Sequence, residues 1–137
     1  MTTLYIHSHY GDAPAGYTGD ERILVRRERA LTAEDFARVK GVITSTHLDQ
    51  VGWLDHVPAL TALLDRGGNW FFNGHILRPF LDSLGHYVPL QNPRRQDLAL
   101  ARLFEHPIYA GIDQKTLEEN KGVAGFYGRG HNPLPAG

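Results

Sequence analysis

The chain has 137 residues, of which 42% are hydrophobic and 21% charged, a size and composition typical of a single globular domain. Its formal net charge of −1, from 14 basic and 15 acidic side chains, argues against a non-specific nucleic-acid binder, which needs a cationic surplus. The absence of cysteine excludes disulfides, cysteine-ligated metal centres and a cysteine nucleophile.

The first half of the sequence predicts strands alternating with a helix. Thr32 followed by Glu34 and Asp35 is typical of a helix start, because a free helix N-terminus favours an N-cap hydroxyl and acidic neighbours. In the stretch after the first loop, Ile23 and Val25 are expected to face inward. The predicted elements are a strand over 3–8, a loop over 10–20, an edge strand within 21–29, a helix over 32–40 and a strand over 42–46.

The second half continues the alternation and then becomes less regular. Apolar residues at helical spacing predict an amphipathic helix that stops at Gly67 and Gly68. The segment 98–104 fits either a helix or a strand. The other predicted elements are a loop over 47–53, a helix over 54–64, a strand over 69–72, a turn over 73–75, a short helix within 76–84, and strands over 87–90 and 123–127.

Alternating strands and helices predict a parallel sheet flanked by helices, in which ligands bind beyond the carboxyl ends of the strands. Polar residues follow three of the predicted strands: His7, Ser8 and His9; His47 and Asp49; and Asn73, Gly74 and His75. We therefore expect a small-molecule pocket at this edge of the sheet.

Two groups of histidines are candidates for chemistry at this edge. His7 and His9 are two residues apart, so both imidazoles can converge on one metal ion or anion, or can serve only the structure. His47 has the carboxylates of Asp49 and Asp55 nearby in sequence, and a carboxylate can orient a histidine that acts as a general base. We expect Asp49 to cap the following turn.

The segment 73–75 is the preferred centre of the predicted site. Asn73 and Gly74 tolerate left-handed backbone conformations, which suits a tight turn between a strand and a helix. Free N–H groups at the start of that helix would bind an anion, and His75 would supply a proton. His47 and His75 are thus the predicted catalytic residues, although the turn can also be purely structural.

Three further side chains complete the predicted substrate-binding set, which already contains His7, Asn73 and Gly74. Trp53 can stack on a sugar ring or pack in the core, while Arg129 and His131, in a glycine-rich loop, can reach an anionic ligand or belong to a frayed tail. The arginine-rich cluster 26–29 is interpreted mainly as a solvated surface, with anion binding as the alternative.

Two segments resemble a known family. The first, 63–75, runs from a helix through a Gly-Gly turn and a strand to the Asn73-Gly74-His75 elbow, and the second, 106–112, begins with His106-Pro107-Ile108. Both are similar to segments of the class I glutamine-amidotransferase-like superfamily, and within it of the ThuA-like (trehalose utilisation) branch. The resemblance extends over residues 1 to about 127.

The resemblance implies a flavodoxin-like open, mostly parallel sheet with helices on both faces, in one ThuA-like domain over residues 1–137. ThuA-like domains are longer, so either the sheet is smaller here or the chain is a shortened form. Where catalytic members of the superfamily have cysteine, this chain has Asn73 or Gly74, and neither is a nucleophile.

The sequence thus predicts a ThuA-like domain with a pocket for a small polar, sugar-related metabolite, using acid–base or metal-assisted chemistry if it is catalytic. A divalent metal such as zinc is a candidate cofactor. The alternative is a non-catalytic binding protein or homo-oligomeric scaffold, with 104–109 as its interface. No signal-peptide pattern and no run of about 18 apolar residues occurs, so we expect a cytoplasmic protein without a membrane or nucleic-acid partner.

Overall fold

The computed structural model describes residues 2–120, 122–125 and 128–133. The described chain divides into two compact units, residues 2–86 and Tyr87–Pro133, and each is described by itself below. The interpretation of residues 1–137 as one domain stays a prediction.

A four-stranded, wholly parallel sheet forms the centre of the first unit, with the strand order β2-β1-β3-β4. Its strands are β1 (Thr3–His7), β2 (Ile23–Arg27), β3 (Gly41–Thr44) and β4 (Asn69–Phe72). Each consists largely of β-branched, aromatic or other apolar residues, which suit a buried pleated surface. The predicted parallel α/β sheet is therefore confirmed, with β2 at an edge.

Two helices belong to the first unit: α1 (Ala33–Ala37) and α2 (Val57–Asp65), the second preceded by a 3₁₀ turn over Gly52–His56. Helix α1 begins as predicted, since Asp35 accepts hydrogen bonds from the backbone N–H (3.0 Å) and the hydroxyl (3.1 Å) of Thr32. The guanidinium of Arg66 donates hydrogen bonds to the carbonyl groups of Phe36, in the last turn of α1, and of Val39, which lies after the end of the helix. The predicted helix was therefore too long at its C-terminal end.

The hydrophobic core lies between one face of the sheet and both helices. It joins Leu4 and Ile6 of β1 and Val42 of β3 to buried residues of α1 and α2. Alternation along the strands places Leu24, and not Ile23 or Val25, on this face, so the predicted orientation of β2 was wrong.

The opposite face of the sheet carries Tyr5 and His7, both 3% exposed. Tyr17, from the loop after β1, stacks on Tyr5 with ring centroids 3.9 Å apart. Both helices of the first unit pack on the core face, so the described residues do not show the expected arrangement of helices on both faces. The loop after β1 takes the place of a crossover helix between β1 and β2.

Helix α2 ends at the predicted glycine pair. Gly67 has φ of +79°, and the N–H groups of Gly67 and Gly68 donate to the carbonyl groups of Leu64 and Leu63. At Gly68 an added Cβ would lie 2.5 Å from the side chain of Leu63, so the chain can turn into β4 only with glycine there.

The predicted helix within 76–84 is not observed. Gln50 holds this segment instead: its Oε1 accepts from the N–H groups of Leu77 (2.8 Å) and Arg78 (3.1 Å), and its Nε2 donates to the carbonyl of His75. Buried Ile76 and Phe80 have helical spacing, but their backbone is fixed by a side chain from a distant loop.

The second unit is built from short elements. Its strands form two antiparallel pairs, and α3 (Gln114–Glu118) has Asp113 as its N-cap. The pairs are β5 (Val88–Pro89) with β8 (Gly130–His131), and β6 (Glu119–Asn120) with β7 (Val123–Ala124).

Predictions for this region are met only in part. The strand predicted over 87–90 occurs as β5, and that over 123–127 occurs as β7, with 126–127 outside the described residues. The ambiguous segment 98–104 forms neither a helix nor a strand, apart from a 3₁₀ turn that ends at Leu98.

Candidate functional site

A cavity of about 620 Å³ lies at the carboxyl end of the sheet in the first unit. Its walls come from the segments that follow β1, β2 and β3: His7, Ser8, His9 and Tyr10; Arg27, Glu28, Arg29 and Ala30; and Asp49, Gly52, Asp55 and His56. A cavity of this volume is in the range that holds one small molecule.

The strand order explains why the cavity forms at this place. The chain leaves β1 towards β2 on one side and later crosses over to β3 on the other side. The order of the strands therefore reverses at β1, and open sheets of this kind bind ligands at the carboxyl ends of the strands beside such a reversal. The sequence-based expectation of a pocket at the carboxyl ends of the strands agrees with this position.

One wall of the cavity is organised by a buried carboxylate. Glu28, 4% exposed, accepts hydrogen bonds at Oε2 from the hydroxyl of Ser8 and from the backbone N–H of Asp49 (3.1 Å). The N–H of Asp49 also lies 3.2 Å from Ser8 Oγ. Glu28 thus links the segments that follow three strands, and its burial is offset by these donors.

The side chain of Asp49 caps the next turn, as expected. Its Oδ1 accepts from the N–H groups of Val51 (3.1 Å) and Gly52 (3.2 Å). A Cβ built on Gly52 would lie 3.2 Å from Glu28 Oε1 and 3.3 Å from Asp49 Oδ2. Glycine at this position therefore leaves room for two carboxylates beside the cavity.

A second wall of the cavity is basic. His7 and Arg27 are paired neighbours across β1 and β2, and the ring of His9 lies 5.7 Å from that of His7. Burial lowers the pKa of His7, and the positive charges of His9 and Arg27 lower it further, against the opposing carboxylate of Asp12. Among the described residues, no group forms a hydrogen bond with the buried His7 Nδ1.

The histidines that follow β1 and β3 form a row. His47 is exposed, and its ring lies 5.3 Å from that of His9 in an edge-on arrangement. His47 does not line the cavity but lies next to a residue that does. Within the described residues, no group of three or more His, Asp or Glu side chains is arranged to hold a metal ion.

The predicted centre at 73–75 differs from its expected form. No helix follows it, so the expected anion site at a helix N-terminus is absent from the described part of this segment. Asn73 and His75 are exposed, and none of the three residues lines the cavity. Gly74 does not have a positive φ; glycine is needed because an added Cβ would lie 2.7 Å from the Phe72 ring.

The three other predicted ligand contacts are not among the residues that line the cavity. Trp53 is 0% exposed and packs against Phe36 and Phe80, so of the two roles predicted for its ring the structure shows packing in the core and not stacking on a sugar. Arg129 and His131 are exposed residues of the second unit.

Several cavity residues were not among the predicted catalytic or substrate-binding residues, above all Ser8, Arg27 and Glu28. The cluster 26–29 was interpreted as a solvated surface, and the exposure of Arg27 and Arg29 agrees with that interpretation. Glu28 is the exception. It stands between two arginines at a strand end, but its own carboxylate is buried. The one available signal was its position near the end of a predicted strand.

Comparisons with known proteins add no assignment, since no protein-family model, curated protein or solved structure matches this chain. In the described residues, no helix is long and apolar enough to span a membrane.

Proposed function

We propose that this chain binds a small polar metabolite in the cavity at the carboxyl ends of β1, β2 and β3. The observation that carries the proposal is the cavity itself: about 620 Å³, at the reversal of strand order, with imidazole, guanidinium and carboxylate groups in its walls. A sugar-related ligand is the class that the ThuA-like resemblance implies.

We also propose that the first unit is the beginning of a flavodoxin-like sheet of the class I glutamine-amidotransferase type. The order β2-β1-β3-β4 agrees with the first four strands of the flavodoxin-like order, which supports this assignment. The Gly-Gly turn before β4 and the elbow after it are the segments that resemble the ThuA-like branch.

Any reaction in this cavity is proposed to use acid–base chemistry. His9 lines the cavity beside His47, and an imidazole is the side chain that most often serves as a general acid or base. Glu28 would keep Ser8 and the backbone of Asp49 in place. A zinc-assisted reaction would need further ligands from a substrate or water, and elemental analysis of protein purified without chelator tests it.

The test of ligand binding is a histidine-detected NMR titration with trehalose, glucose, myo-inositol and glucose 6-phosphate. We expect at least one of these probes to shift the ring signals of His7 and His9 in a saturable way. The signals of His86 and His106, which lie outside the cavity walls, serve as internal controls. If all four probes leave His7 and His9 unchanged, or move the control signals equally, the proposal is wrong for this class of metabolite.

A second candidate function is that of a homo-oligomeric scaffold. In the second unit, Leu103 is 76%, Phe104 83% and Ile108 48% exposed, which is unusual for neighbouring large apolar residues. We expect a concentration-dependent dimer by light scattering if this surface binds a second copy, and a monomer for Phe104→Ser. A monomer at every concentration for the unaltered chain contradicts this candidate.

A further inference from the structure

We propose that His7 and Arg27 form an oxyanion subsite of the cavity, which binds a phosphate or carboxylate group of the metabolite. This inference rests on the proposed function and adds the chemical class of one end of the ligand.

The first argument is the register of the sheet. His7 and Arg27 are paired positions at the carboxyl ends of two adjacent parallel strands, where neighbouring backbones run about 5 Å apart. Side chains at paired positions project to the same face, and both residues line the cavity. An imidazole and a guanidinium are therefore placed side by side on one wall.

The second argument is a buried polar atom without a partner. His7 is 3% exposed, and its Nδ1 makes no hydrogen bond to the described residues. Leaving a polar atom unpaired in the interior is unfavourable, so this buried imidazole nitrogen favours a ligand that satisfies it. With the proton on Nδ1, an oxygen of a bound anion is such a partner.

The third argument concerns the distribution of negative charge around the cavity. Glu28, which follows Arg27 directly, is already bound by Ser8 and by the N–H of Asp49. Its carboxylate is held towards the segment after β3, so it does not neutralise the side occupied by His7. The carboxylate that acts on the pKa of His7 is that of Asp12, an exposed residue of the loop after β1, while Asp49 and Asp55 line other parts of the same cavity.

The side chain of Arg27 can also turn towards a ligand in the cavity. The guanidinium is exposed, and NH2 donates 3.2 Å to the carbonyl of Gly11 in the loop after β1. Guanidinium groups bind phosphate and carboxylate through paired N–H donors, which is stronger than a single bond to a carbonyl. It is therefore favourable for Arg27 to give up its hydrogen bond to the carbonyl of Gly11 and to bind an anionic ligand instead.

The test uses inorganic phosphate as the probe, with His7 followed by NMR and sodium chloride added to keep the ionic strength constant. We expect saturable binding to the unaltered chain and at least a tenfold weaker affinity for Arg27→Gln. The matched control is Arg22→Gln, because Arg22 is an exposed arginine of the same unit that pairs with Asp20 and does not line the cavity. It should bind phosphate as the unaltered chain does.

Equal phosphate affinity in Arg27→Gln and Arg22→Gln would overturn the inference, as would a His7 signal that phosphate does not move. Circular dichroism of both variants checks that they fold. His7→Gln provides a second test and should also weaken binding at least tenfold.

Binding titrations distinguish this inference from the proposed function. They use glucose, glucose 6-phosphate and, as a carboxylate probe, acetate. Stronger binding of glucose 6-phosphate than of glucose, lost in Arg27→Gln, supports both. Binding of neutral glucose with no response to phosphate or acetate leaves the metabolite pocket standing and overturns the oxyanion subsite. Binding of acetate or phosphate alone supports the subsite and contradicts a sugar as its ligand.

Discussion

The hydroxyl of Ser8 donates a hydrogen bond to the buried carboxylate of Glu28, and so joins the ends of two adjacent parallel strands. The backbone N–H of Asp49 donates to the same oxygen, which adds the segment after a third strand. All three segments form walls of the cavity, so this one carboxylate connects the walls of the candidate site. Its removal should affect both the fold and the pocket.

Glu28→Ala should lower the free energy of unfolding by about 1.5–3 kcal/mol, because two donors lose a charged acceptor in a buried place. Urea unfolding at neutral pH measures the change. Glu21→Ala, at an exposed position shortly before β2, is the control and should stay within about 0.5 kcal/mol of the unaltered chain. Equal stability of the two variants would show that Glu28 is not a structural link.

His7 should make the stability of the chain depend on pH in the mildly acidic range. Burial and cationic neighbours lower its pKa in the folded state, so the unfolded chain binds the proton more readily. This contribution to stability is fully present above the unfolded pKa of about 6.5 and is lost as the pH falls below that value.

The measurement is urea unfolding at about pH 8 and about pH 5, with His7→Gln as the comparison. We expect the unaltered chain to lose more stability on acidification than the variant does. NMR titration should also show His7 with a pKa below the value of about 6.5 that an unperturbed imidazole has. A His7 that titrates above that value would contradict the burial argument.

The charge of Asp35 should stabilise the fold, and this stabilisation should depend on pH in the acidic range. Burial raises its pKa, but hydrogen bonds from Thr32 and Arg26 outweigh this and lower it. Since the folded pKa lies below the unfolded one, the stabilisation is present above about pH 4 and is lost as the pH falls through the folded pKa.

Asp35→Ala should therefore cost about 1–3 kcal/mol at neutral pH and less at about pH 3. Glu34→Ala is the matched control in the same helix, because Glu34 is exposed and makes only a long ion pair (3.9 Å) with Arg38. A loss of stability in Asp35→Ala that does not depend on pH would contradict a role for its charge.

Gly74→Ala should destabilise the chain by about 1–3 kcal/mol, because the added methyl group would lie 2.7 Å from the Phe72 ring. Gly11→Ala is the control, since nothing lies within 4 Å of a Cβ built there. Thermal unfolding compares the two variants. Similar melting temperatures would mean that the turn after β4 is looser than the structure indicates.

Local patterns in the sequence predicted the parts of the fold that depend on neighbours in the chain. Thr32 and Asp35 identified the start of α1, Gly67 and Gly68 the end of α2, and short apolar runs the four parallel strands. These signals are local because caps, glycine turns and strand patterns act within a few residues. The place of the pocket followed from the predicted parallel sheet by a general rule of such folds.

The elements that the sequence did not predict depend on distant partners. Gln50 binds the backbone N–H groups of Leu77 and Arg78, in the segment where the sequence had predicted a short helix. Trp53, for which the sequence left both a ligand contact and core packing open, is enclosed by core residues from other elements. No local pattern reports such contacts, because they form only when the sheet and helices have assembled.

The sequence by itself therefore determined the parallel α/β class, the strands and the edge of the sheet where polar residues collect. Only the tertiary structure decided which of those residues share a cavity, because that depends on strand order and register. The pairing of β1 with β2 brought His7 beside Arg27 and Ser8 beside Glu28, although 20 positions separate the members of each pair in the chain.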